Sequence, residues 1–113
     1  MAIQTTGKKN SMATAYGSDA TYGALFTTAP GASAGTEVTG GSPAYARKAL
    51  TWSAPTNGVI TASATFDVPA CSVVGTGVYT AATAGTYLDG NTVTTVTFTG
   101  QDTVTANFTA TVV

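Results

Sequence analysis

The ending of this chain leaves few folds open to it. From Thr103 to Val113 apolar and polar residues alternate almost without fault, Val104, Ala106, Phe108, Ala110 and Val112 on one side and Thr103, Thr105, Asn107, Thr109 and Thr111 on the other. Successive side chains of a strand point to opposite faces, so this is a β-strand with one face in a core and one on solvent. Just upstream, Val96 and Phe98 alternate with Thr95, Thr97 and Thr99, and Gly100-Gln101-Asp102 reads as the turn connecting the pair. Earlier still, Ile60, Ala62, Ala64 and Phe66 alternate with Val59, Thr61, Ser63 and Thr65. They follow Pro55-Thr56-Asn57-Gly58, a hairpin-type turn because Asn and Gly both tolerate positive φ.

The rest of the chain reads in the same idiom. Gly7 to Tyr16 is the one stretch with a helical rhythm, and Gly17 is a natural C-terminal stop. Thr21 to Phe26 is rich in β-formers and ends at the turn Thr28-Ala29-Pro30-Gly31. A strand is expected over Tyr45 to Ser53, although Lys48 breaks its alternation. Another runs over Cys71 to Tyr79, where Gly75 and Gly77 signal a bulge or a close approach. Thr86-Tyr87-Leu88 reads as a short strand before an Asp89-Gly90-Asn91 turn. About seven short strands predict a mostly β fold, an antiparallel β-sandwich with one short N-terminal helix. The 113 residues are read as one domain, with an N-terminal arm and short helix over 1–19 and a long Gly-rich loop over 28–44. A loop of that length in a small domain is expected to reach a partner.

Composition decides which functions to set aside. The chain has no histidine, and its acidic residues Asp19, Glu37, Asp67, Asp89 and Asp102 are scattered singly. General acid–base catalysis and zinc binding lean on histidine, paired carboxylates or clustered cysteines, so no catalytic residue, metal site or cofactor is expected. Cys71 is the lone cysteine and reads as a small buried hydrophobe. Charged residues make up 8 % of the chain and the net charge is -1, too little positive field for nucleic acid. Lys8-Lys9 is followed by polar residues, so neither a secretory leader nor a membrane span is expected, and synthesis is placed in the cytoplasm. A surface built from Thr, Ser, Gly and Ala with so few charges suits a protein covered by neighbours in an assembly.

Few residues stand out against that background. Glu37 and Arg47 flank the Gly-rich loop, and a bidentate ion pair between them is expected to pin the loop to the next strand. The alternative sends Arg47 to a carboxylate on a neighbouring subunit. Tyr45, Trp52 and Tyr79 are candidate aromatic anchors of an interface, as are the cations Lys8 and Lys9. The threonine rows resemble the ribbons of some ice-binding proteins, but they follow ordinary strand alternation with no fixed repeat. The ends, Met1 to Thr6 and Thr109 to Val113, are expected to add to a neighbouring sheet edge.

A resemblance is carried by an ordered set of motifs. They are Phe26-Thr27-Thr28-Ala29-Pro30-Gly31, Glu37-Val38, Gly41-Ser42-Pro43-Ala44-Tyr45-Ala46-Arg47-Lys48-Ala49-Leu50-Thr51-Trp52, Phe66-Asp67-Val68-Pro69-Ala70 and Tyr79 to Leu88. Together they resemble small virion structural proteins of tailed phages, a group spanning head decoration, minor tail and tail-fibre proteins. The resemblance implies a structural component of the particle. The reading favoured here is a decoration protein on the capsid surface, bound to the major capsid protein and to copies of itself as a homo-oligomer. The alternative is a minor tail or tail-fibre component that binds a cell-surface ligand. A carbohydrate-binding module and an enzyme rank below both.

Overall fold

The computed structural model describes residues 3–112, so Met1, Ala2 and Val113, parts of the two ends expected to join a neighbouring sheet, lie outside the described residues. Its elements are the helix α1 (Thr6–Asp19) and the strands β1 (Tyr22–Phe26), β2 (Lys48–Ala49), β3 (Val59–Val68), β4 (Cys71–Tyr79), β5 (Tyr87–Phe98) and β6 (Asp102–Thr111). All pairings are antiparallel, in a four-stranded sheet of order β2-β1-β4-β5 and a two-stranded sheet of β3 and β6. The expectation of a mostly β chain with a short N-terminal helix and two antiparallel sheets holds.

β3 and β6 form the long ladder that their alternation demands. Ile60 lies opposite Ala110, Ala62 opposite Phe108 and Phe66 opposite Val104, so the apolar rows of both strands share one face. That face meets β1 and β4 around Leu25, Val38, Phe66, Val68, Val78 and Phe108, all buried. The fit is close at Gly23, where a Cβ would stand 2.7 Å from Phe108 Cζ. On the other side of the four-stranded sheet Ala24, Phe26 and Tyr79 make a second cluster with Tyr87 against it. Adjacent residues of β1 therefore serve two cores.

Several local expectations are corrected. The helix does not stop at Gly17. Ala20 N–H closes its last turn on Tyr16 O, and Gly17 is instead a contact point, with a Cβ there only 3.1 Å from Ile60 Cδ1 and Trp52 Cδ1. The strand expected over Tyr45 to Ser53 shrinks to Lys48–Ala49, because Tyr45 and Arg47 are drawn to other partners. Asp89-Gly90-Asn91 does not turn. It continues β5, where Gly90 lies opposite Gly77 and both sit in crowded surroundings. This merges two expected strands into one and leaves six among the described residues. The last two strands do not pair with each other either, since β5 joins β4 and β6 joins β3. The residues between them cross from one layer to the other, anchored by Gln101, whose amide accepts from Ser42 N–H and donates to Pro43 O.

The Asn57-Gly58 turn forms with φ of 50° and 77°, both in the left-handed region. Gly58 N–H donates to Asn10 Oδ1, which ties α1 to the turn. The loop over 28–44 lies along the four-stranded sheet. Thr27 N–H donates to Thr36 O and Val38 N–H to Leu25 O, covering the edge of β1, while Pro30 packs on Gly75. The molecule measures 47 × 22 × 22 Å, so its layers run along one long axis.

Candidate functional site

Arg47 organises the outer face of the four-stranded sheet. Its Nε and Nη2 donate to Glu37 at 3.0–3.3 Å, and its Nη1 donates to Ala81 O at 3.1 Å and Ala84 O at 2.7 Å. Its guanidinium carbon stands 3.5 Å from the centroid of the Tyr79 ring. The planar fork of arginine meets a carboxylate, two carbonyls and a π-face together, which a lysine ammonium cannot do. The side chains of Arg47 and Glu37 are 12 % and 22 % exposed, so the pair is largely sheltered. Burial by itself would lower the Arg47 pKa, but the hydrogen bonds and charge of Glu37 outweigh it and raise it. The arrangement ties three segments together, the loop at Glu37, the start of β2 at Arg47 and the β4–β5 connection at Ala81 and Ala84. Both partners belong to one chain.

Tyr45 completes this knot. Its hydroxyl donates to Glu37 Oε2 at 2.8 Å and accepts from Leu25 N–H at 3.0 Å, and its ring stacks on Phe66 with centroids 6.1 Å apart. Burial first, and the Glu37 charge with it, push this hydroxyl well above the ordinary tyrosine range. Trp52 sets its ring edge-on to Tyr16 and donates Nε1–H to Ala20 O at 2.7 Å. Tyr79 is buried beneath Arg47 and between Phe26 and Tyr87. The structure thus places these three aromatics in packing roles within the chain. It brings Glu37, Arg47, Tyr45 and Tyr79 together and leaves Trp52, Lys8 and Lys9 apart from them, Trp52 behind the helix and the lysines on its first turn. Cys71, expected to be buried, is only half-buried at the start of β4, and that partial burial raises its thiol pKa.

What the chain offers to a neighbour lies elsewhere. β5 is the edge of its sheet and, over Tyr87–Phe98, has no fully buried residue. The β3–β6 layer packs on β1 and part of β4 and meets β5 only at its end, where Phe98 joins the core. Val93 and Val96, with 40 % and 45 % of their surfaces open, stand along this uncovered strand. Between β5 and β6 a groove of about 650 Å³ is floored by Met12, Ala13, Tyr16 and Trp52. One wall is Thr76–Val78 with Asp89, Asn91 and Val93, and the other is the continuous run 107–112, the end of β6 and the residue after it. Burial, then Asp89 and Tyr87, raise the Tyr16 hydroxyl to about 12.

Sequence reasoning missed this edge. The consecutive Thr94-Thr95 interrupts the alternation of Val93 and Val96, and it marks an irregularity, since the β4–β5 register slips between Val73 and Gly75. That doublet was the available signal.

Residues 8–113 match the family described as Podophage GP4 fiber I protein gp80. No curated protein and no solved structure matches the chain. The family match overturns the expectation of a capsid decoration protein and favours the fibre alternative, while upholding the resemblance to virion structural proteins of tailed phages. The resemblance was to a group spanning head and tail components, so it could not separate the two. Matched from Lys8 to Val113, the chain belongs to this fibre-protein family of podophages.

Proposed function

We propose that the chain is a structural subunit of a phage tail fibre, acting through contact with copies of itself and with its neighbours in the fibre rather than through catalysis. The family match carries this reading. Two features of the fold support it. The elongated body suits stacking along an axis, and β5 and β6 present free strand edges of the kind that protein strands add to. The Arg47 knot supports it in a different way, by holding a Gly-rich loop flat on the sheet so that the long body keeps one shape.

Gold-labelled antibody against the chain, applied to intact particles, tests the assignment. Label along the fibres is the expected result, and label spread over the shell would overturn it.

A further inference from the structure

The two layers of the fold are unequal, and the inequality has a definite shape. Four strands face two, so the inner side of β5 looks into the groove instead of into a core. The opposite wall of that groove is the outer edge of β6. Val112 N–H donates to Gly58 O, towards β3. Because the direction of backbone groups alternates along an antiparallel strand, the N–H groups of Asn107, Thr109 and Thr111 point the other way, into the open. The same alternation on β3 is seen at Thr61, which accepts from Ser53 N–H on the side away from β6.

We propose that a second copy of the chain fills this gap, the free edge of its β5 pairing with the free edge of β6. Each copy has one edge of each kind on either side of the gap, so a two-fold axis satisfies both at once and leaves neither open. The product is one sandwich of two six-stranded sheets, each in the order β2-β1-β4-β5 followed by β6 and β3 of the partner copy. Val93 and Val96 of the two copies then lie at its centre. The charge pattern fits a like partner. Among the twelve residues of β5 and ten of β6 the charged ones are Asp89 and Asp102, and there is no lysine or proline, the residues that ordinarily block a sheet edge. Neutral Thr–Val strands of this kind match one another and offer nothing to select a charged partner. The inference rests on the fibre reading only in taking copies of the chain to meet, and its test uses the purified chain alone.

Light scattering on the purified chain is expected to give the mass of two chains. Hydrogen exchange is expected to show the Asn107, Thr109 and Thr111 amides slowed about fifteenfold at a total chain concentration a hundred times the dissociation constant, where about 7 % of the chains stay single. Val93→Lys should return the chain to a single-copy mass and release these three amides, while Phe108 and Ala110, whose amides face β3, stay protected and report that the fold is intact. Thr109→Pro, which removes one outward N–H, should weaken pairing as well. A single-copy wild type, or a pair in which the three amides exchange freely, overturns the proposal. So does a Val93→Lys chain that keeps both the paired mass and the protection. A fibre label on particles together with a single-copy chain in solution would retire this interface and leave the fibre assignment standing.

Discussion

Arg47 shows how much one side chain can hold. With Arg47 removed, the carboxylate of Glu37 keeps the Tyr45 hydroxyl as a partner but loses its counter-charge in a sheltered place, and two carbonyls lose their donor. Arg47→Ala is expected to cost about 3 kcal/mol. Arg47→Lys keeps the charge but not the fork, and is expected to cost about 1–2 kcal/mol. Equilibrium denaturation orders the two, and equal costs would mean that charge alone matters. The tyrosines give a second, independent expectation. Tyr16 ionises at about 12 in the fold against an ordinary value of 10.0, so the folded state favours its neutral form. The stability it contributes is whole below pH 10 and is lost as pH rises through about 12. Tyr45, buried more deeply, shifts in the same direction. Denaturation midpoints across that range should fall, and Tyr16→Phe should make the fall shallower. An unchanged slope would show that Tyr16 ionises as freely in the fold as in the open chain.

Gly75 and Gly77 explain why β4 can carry packing on both faces. A Cβ on Gly75 would collide with the Pro30 ring, and one on Gly77 would lie 2.6 Å from Phe26 Cε2. Gly75→Ala should therefore lift the loop at Pro30 and cost about 1–3 kcal/mol, read as a lower thermal midpoint. These glycines were legible as a bulge or a close approach, and the register slip between Val73 and Gly75 shows that both occur. The faces of β3 and β6 were equally legible, because strict alternation leaves one choice of buried row. Their neighbours were not. Alternation says which side of a strand is buried but not which strand lies beside it, so β5 and β6 read as partners when each in fact completes a different sheet. β5 was hidden for a further reason. Its two register slips break the period, and Asp89-Gly90-Asn91 has the composition of a turn although Gly90 is extended opposite Gly77. At the knot, Glu37 and Arg47 stood out as opposite charges flanking a loop. Nothing local could show that Tyr45 and Tyr79 would close on them from residues so near and so far along the chain.

The molecule as a whole is built on an imbalance. Two-stranded sheets have little independent stability, and here the pair β3–β6 survives by packing on a layer twice its width. That packing is close over β1 and part of β4 and reaches β5 only at Phe98, so the fold owns an apolar strip around Val93 and Val96 that its own chain leaves open. If a second copy covers it, folding and association share the same contacts, and stability must depend on how much chain is present. Tenfold more protein should then raise the thermal midpoint by about 3 °C, since it adds about 1.4 kcal/mol per pair, or about 0.7 kcal/mol to each domain. The same dilution series on Val93→Lys should give a flat line at the lower midpoint. A wild-type midpoint that ignores concentration would mean that the four-on-two sandwich is self-sufficient, and that the open side of β5 does not contribute to stability.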